Sequence, residues 1–348
     1  MIFSPFKKGP EMLRVLFLVG MLVFLGLPSA AIAQALTVIP AEGAFRFTPS
    51  SGEKDIPSTY KLEASDFAFK AKRLHGVKGA YTVYSLQFPS PVKSPFEENN
   101  TVHARYYLPE GKGPFPATVV LDILAGSETI PKLMADYLAR NGVAALHVQL
   151  PYYGPRKPKN ARVKMLSPNL LTTLPAIRQA VLDLRVANAW LRDRPEVDAS
   201  RLGISGTSLG SLISALTGAV EDRYRKVVIL LGGGGFVDAY YSHPQAKDIV
   251  KSYEATGGTK DLARYLFAPY DPITWAARLS GRDVLIMAGS QDEVIFPEMT
   301  KKLWEKAGKP EMVWFDCTHL GAVRFLPDAL NRIASHMAKP CPEPAATK

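Results

Sequence analysis

Gly206-Thr207-Ser208-Leu209-Gly210 is the single Gly-x-Ser-x-Gly in the chain, and this residue type at this spacing suits a nucleophilic hydroxyl. Residues 202–205 before it read as a short strand. After it, Leu209, Leu212, Ile213 and Leu216 mark one face of a helix. Strand, sharp turn and helix together hold a serine hydroxyl above a sheet, at a helix N-terminus. The two glycines leave room for backbone to pass close to strand and helix. A serine hydroxyl is a weak nucleophile, so it needs a base, and the base needs an acid to orient it.

Both partners are expected on loops at the carboxyl ends of later strands. Residues 284–287 read as a strand that runs into Ala288-Gly289-Ser290-Gln291-Asp292-Glu293. Residues 312–315 read as another, running into Asp316-Cys317-Thr318-His319. Six histidines are present: His75, His103, His147, His243, His319 and His336. Only His319 and His336 follow the acid loop, and His336 falls inside the last helix, so His319 is the expected base. Asp292 is the expected acid, with Glu293 and Asp316 as alternatives. Asp316 lies only three residues before His319 and suits the end of the strand better. The resulting order is Ser208, Asp292, His319, with gaps of 84 and 27 residues. An oxyanion would take one backbone N–H from Leu209 and a second from the loop Asp122-Ile123-Leu124-Ala125-Gly126. Leu124 is the expected donor there, and Ile123 and Ala125 are its neighbouring alternatives.

The elements that position these residues are legible around them. Apolar residues make up 47% of the chain and charged residues 21%, which excludes an intrinsically disordered protein. Strands are expected at 81–88, 102–108, 117–121, 143–150, 201–205, 226–231, 283–287 and 311–315. Helices are expected at 131–141, from the first turn at Pro175 through Ile177, Val181 and Leu184, from Ser208 onward, and at 324–338. Strands alternating with helices imply an α/β protein with a mostly parallel central sheet and helices on both faces. Residues 236–279, irregular and aromatic, read as a cap-like insertion after the sixth strand. Residues 34–75 show no clean periodicity and read as an N-terminal extension packed loosely on one domain, 76–338, with a Pro-rich tail at 339–348.

The first segment reads as an address. Lys7, Lys8 and Arg14 precede an apolar run of 13 residues, 15–27, and Ala31-Ile32-Ala33 follows. That is the layout of a secretory signal peptide, 1–33, with cleavage after Ala33 and a periplasmic or secreted product; an uncleaved anchor is the alternative. Export would place Cys317 and Cys341 in an oxidising compartment, where a pair and two free thiols are both open. Two cysteines cannot form a four-ligand zinc site, and the glycine run 232–235 lacks the lysine spacing of a phosphate loop. No cofactor and no metal are therefore expected.

The formal net charge is +10, and removing a segment with three bases and one acid lowers it to +8. Five of the bases, Arg156, Lys157, Lys159, Arg162 and Lys164, lie in one loop without an acid. That loop borders the site mouth, either as a solvated segment or as an attractor of anionic substrates. The expected partner is a small-molecule ester, with no nucleic acid and, after cleavage, no membrane. Trp275, Phe267 and Tyr270 would line an apolar acyl pocket or fill the core.

Over about residues 76–338 the chain resembles the α/β-hydrolase superfamily, in its dienelactone-hydrolase-like and secreted serine esterase branch. The likeness rests on Gly206-Thr207-Ser208-Leu209-Gly210, Gly289-Ser290-Gln291-Asp292, Thr318-His319-Leu320-Gly321 and the Asp122-to-Gly126 loop. It implies an α/β-hydrolase fold and an exported serine hydrolase that cleaves carboxylic esters through an acyl-enzyme, with Ser208, Asp292 and His319 as the triad. Two departures stand out. Asp122-Ile123 replaces a His-Gly pair common at the oxyanion loop. Ser208 replaces the cysteine of dienelactone hydrolase proper, so that activity is not carried over. The rival readings are a serine peptidase or aminoacyl amidase on the same triad, and a catalytically inactive binding protein with this fold.

Overall fold

Period-two burial builds the sheet. In β5 (Phe115–Leu121), Ala117, Val119 and Leu121 face one core layer and Val120 the other. The same alternation runs through β8 (Lys226–Leu230) and β9 (Asp283–Gly289). There Val227, Ile229, Val284 and Ile286 oppose Val228, Leu230, Leu285 and Met287. Strands apolar on both faces need helices on both faces. On one side lie α2 (Leu170–Arg192) and α3 (Leu209–Val220); on the other lie α1 (Thr129–Arg140) and α9 (Leu326–Ala338). The computed structural model of the chain describes residues 38–341, apart from 168, 245 and 246. The expected signal segment, its cleavage site after Ala33 and tail residues 342–348 lie outside them. Among the described residues, no helix is long and apolar enough to cross a membrane.

The remaining strands are β1 (Glu42–Phe47), β2 (Ser65–Val77), β3 (Tyr81–Pro89), β4 (Thr101–Pro109), β6 (Ala144–Val148), β7 (Val197–Thr207) and β10 (Glu311–Phe315). The ten run in the order β1-β2-β3-β4-β6-β5-β7-β8-β9-β10. From β6 to β10 every neighbouring pair is parallel, whereas β1 to β4 and the β4–β6 pair are antiparallel.

The loosely packed extension expected at 34–75 is corrected: β1 and β2 are integral strands of this sheet. Phe45, Phe47, Phe67, Phe69 and Ala71 alternate inward and are buried in the layer that contains α2. Phe69 meets Trp190 edge-on at 6.0 Å. The sheet thus begins at Glu42 rather than near 76, and the insertion follows the expected sixth strand, observed at Lys226–Leu230, which is the eighth once β1 and β2 are counted. The insertion runs from α4 (Phe236–Ser242) through α5 (Lys247–Glu254), α6 (Lys260–Phe267) and α7 (Pro272–Trp275), and α8 (Pro297–Lys306) follows β9. Helix α2 also starts earlier than expected, at Leu170. The Asn169 side chain caps it by accepting the Leu171 N–H at 3.0 Å, and Pro175 sits inside it.

A buried ion pair ties this N-terminal part to the body. Arg185, on α2 and fully buried, donates Nε to Glu221 at 3.0 Å and Nη1 to Glu53 at 3.0 Å. Burial pushes the Glu53 carboxyl up, but the hydrogen bond and charge of Arg185 outweigh it and hold the group below its usual range. Removing one partner of a buried pair leaves an uncompensated charge. Arg185→Met is therefore expected to cost about 3–5 kcal/mol of stability, read as a lowered urea midpoint. An unchanged midpoint would show that the pair does not hold the two parts together.

Candidate active site

Ser208 joins β7 to α3 in a conformation few residues adopt, φ 55° and ψ −117°. A positive φ at a residue with a Cβ costs on the order of 1–3 kcal/mol and persists where the surroundings impose it. Gly206 shows how tight those surroundings are. A Cβ there would lie 2.2 Å from the Gly210 carbonyl carbon, and one on Gly210 would lie 2.8 Å from the Asp122 carbonyl oxygen. Both obstacles are backbone and cannot rotate away. Gly206→Ala is expected to destabilise by at least about 1–3 kcal/mol, seen as a fall in melting temperature. A wild-type melting curve would mean that the turn relaxes freely.

Three loops at the carboxyl edge of the sheet bring the expected residues together. His319, after β10, has Nε2 2.9 Å from Ser208 Oγ and Nδ1 2.7 Å from Asp292 Oδ2. Asp292, after β9, is nearly buried, and its other oxygen accepts the Val294 and Ile295 N–H groups, both at 2.8 Å. A carboxylate only accepts, so Nδ1 of His319 carries the proton and the Nε2 lone pair faces the serine hydroxyl. The two alternative acids have other partners. Glu293 accepts the backbone N–H of His319 at 3.0 Å, and Asp316 accepts Ser290 Oγ at 3.1 Å and Gln291 Nε2 at 2.7 Å. All three carboxylates thus fasten the acid and base loops to each other, but only Asp292 touches the imidazole.

Leu209 is the first residue of α3, where an N–H has no acceptor within the helix. Leu124 opens a 3-10 turn, Leu124–Gly126, directly after β5. The Asp122 side chain turns away from this turn, toward the buried His147 of β6. Sequence reasoning missed that contact, as it missed the bond from Glu293 to His319. Both are set by side-chain direction across separate elements, which leaves no local pattern.

Other expectations sort differently. Of the five bases in the loop after β6, Arg156 is fully buried, bound to Asp183 at 2.7 Å and to the carbonyls of Asn99 and Gln149 at 3.0 Å each. Burial raises the Asp183 carboxyl despite that partner. Lys157, Lys159, Arg162 and Lys164 are exposed. Tyr270 and Trp275 pack on the core. Tyr270 meets Tyr60 edge-on at 6.4 Å, and Trp275 Nε1 donates to the Pro269 carbonyl at 3.0 Å. Cys317 and Cys341 are free thiols, the first buried and the second with Sγ 3.3 Å from the Ser200 carbonyl.

Comparison with known proteins adds to this geometry. A family model described as alpha/beta hydrolase domain containing 18 matches residues 78–241. Two uncharacterized proteins of Mycobacterium tuberculosis are each 26% identical over 182 residues, or 51% of this chain. The match spans 42% of the length of these curated relatives. The acetyl xylan esterase of Paenibacillus sp. R4 superposes with a TM-score of 0.63 at 18% identity, covering 77% of this chain and 88% of that one. Acetyl xylan esterase 1 of Thermoanaerobacterium sp. gives 0.61 at 20%, covering 78% and 88%. A Klebsiella pneumoniae protein described as a candidate dienelactone hydrolase gives 0.50 at 18%, covering 78% and 99%. The parallel sheet with its two helical layers, the turn at Ser208 and these matches give the chain the α/β-hydrolase fold.

Proposed function

We propose that the chain is an exported serine hydrolase that cleaves carboxylic esters through an acyl-enzyme. The observation that carries this reading is the unbroken line of hydrogen bonds from Ser208 Oγ through His319 to Asp292. Ser208 Oγ attacks the ester carbonyl carbon as its proton passes to His319 Nε2. Asp292 holds the ring in the receptive tautomer and faces the imidazolium that forms. The N–H groups of Leu209 and Leu124 receive the negative charge that develops on the carbonyl oxygen. His319 then returns the proton to the leaving alcohol, and water, activated the same way, releases the acid.

The likeness to two proteins described as acetyl xylan esterases supports esters as the substrate class. The basic residues, apolar run and Ala-x-Ala of 1–33 support export, to the periplasm or outside the cell. The reading is tested with a fluorophosphonate probe, followed by a panel of carboxylic esters and aminoacyl amides. Labelling that is lost in Ser208→Ala is expected, with turnover concentrated on the esters. Turnover concentrated on the amides would make the chain a peptidase, and absence of labelling would make it a binding protein.

A further inference from the structure

The loop 122–128 has to hold the Leu124 N–H still, yet the Leu124 side chain is 54% exposed and cannot anchor it. The anchors are two carboxylates at the ends of the loop. Asp122 and His147 are each 1% exposed, and Asp122 Oδ1 lies 2.7 Å from His147 Nε2. Asp122 Oδ2 accepts the Leu150 N–H at 3.1 Å. At the other end, Glu128 accepts Arg105 Nη1 at 2.9 Å and is also bonded by Lys132 and Gln149. Burial pushes the Glu128 carboxyl up, but the bonds from Lys132 and Arg105 overcome it and hold the group down at about 2. Between the anchors, Gly126 (φ +69°) lies flat on Tyr153, where a Cβ would come within 2.8 Å of the ring.

As a stabilising contact the Asp122–His147 pair is a poor device. Asp122 only accepts, so His147 Nε2 carries the proton, and His147 Nδ1 is buried with no hydrogen-bond partner. Leaving such a group unsatisfied costs about 1–3 kcal/mol, and an apolar pair of similar volume is commonly neutral or better. What the pair does provide is direction. It draws the Asp122 side chain down onto β6, with the Asp122 carbonyl against Gly210.

We propose that His147 and Asp122 are positioning residues, whose bond fixes loop 122–128 so that the Leu124 N–H meets the oxyanion beside Ser208. This rests on the serine-hydrolase reading above. It also accounts for the sequence departure: an aspartate directed inward leaves the backbone donor as available as a His-Gly pair would.

The test is a double-mutant cycle on a p-nitrophenyl ester. Ile123 is extended (φ −85°, ψ 173°) and Leu124 is the first residue of its turn, so proline fits at 124 and Leu124→Pro removes the N–H at the cost of an exposed isobutyl group. That variant is expected to lower kcat by about 10²–10³-fold with little change in KM. His147→Leu, by letting the donor drift, is expected to lower kcat by about 10–10²-fold, while His147→Gln, which keeps a donor for Asp122, restores most of it. Added to Leu124→Pro, His147→Leu should change kcat by less than about threefold, because the donor it positions is gone. Should His147→Leu not fold, Asp122→Asn, which keeps the volume and an acceptor for Leu150, takes its place in the cycle. Equal losses in the wild-type and proline backgrounds would overturn the proposal. An unchanged kcat in Leu124→Pro would overturn it through the donor itself. Continued probe labelling of Ser208 would then show that the nucleophile reading survives.

Discussion

Ser208→Ala is expected to lower kcat on a p-nitrophenyl ester by about 10⁶-fold, with the melting temperature nearly unchanged. The size follows from the role proposed for the hydroxyl. Without Oγ no acyl-enzyme forms, and His319 has no proton to take. Alanine keeps the Cβ, so the strained backbone at φ 55° is neither relieved nor worsened. The Ser208 N–H bond to the Leu230 carbonyl, 2.9 Å, is also kept. What remains over water should come from the proposed donors, the N–H groups of Leu209 and Leu124, which would still polarise a bound carbonyl. The comparison uses single-turnover and steady-state rates together. A residual rate within about a hundredfold of wild type would place the nucleophile elsewhere.

The second large effect concerns Asp292, where Asp292→Asn is expected to lower kcat by about 10⁴-fold. The argument is one of tautomers. Asp292 Oδ1 is committed to the Val294 and Ile295 N–H groups, so an asparagine there directs its oxygen to them and its NH₂ toward His319. The NH₂ only donates, so it selects the imidazole with a bare Nδ1 and a proton on Nε2. That proton faces Ser208 Oγ, and the ring can no longer act as a base. Glu293→Gln and Asp316→Asn keep an acceptor for their own donors and leave the ring untouched, so their losses should be far smaller. If either of them falls as far as Asp292→Asn, the acid has been assigned to the wrong carboxylate.

The parts of the site that were legible in the sequence are those carried by local pattern and chain order. Ser208 sits in a five-residue turn with its strand before it and its helix after it. Asp292 and His319 follow successive strands, the buried β9 and the half-buried β10, whose apolar runs are unmistakable. Choosing Asp292 over Glu293 and Asp316 took only its position, although all three carboxylates turn out to brace the same pair of loops.

What was not legible depends on partners far apart in the chain. Phe45 and Phe47 alternate, as do Phe67, Phe69 and Ala71, but β1 is six residues long and 3-10 turns separate it from β2. Its charged outward residues, Glu42 and Arg46, hid a strand that only its pairing with β2 reveals. Arg156 read as one more surface base because its neighbours are Lys157 and Lys159. Its burial is decided by Asp183, on the inner side of α2.

The bond between Arg185 and Glu53 bears on where this protein can be divided. The family-model match starts at residue 78, yet a chain cut there would lose β1, all of β2 and Glu53. Arg185 would keep Glu221 alone, and β3 would become an open edge with Phe88 beside it. An open edge with apolar residues invites pairing with another chain. The smallest piece expected to fold is therefore larger than the stretch the family model matches. The N-terminal strands belong to the folding unit of this chain, although the family model does not reach them.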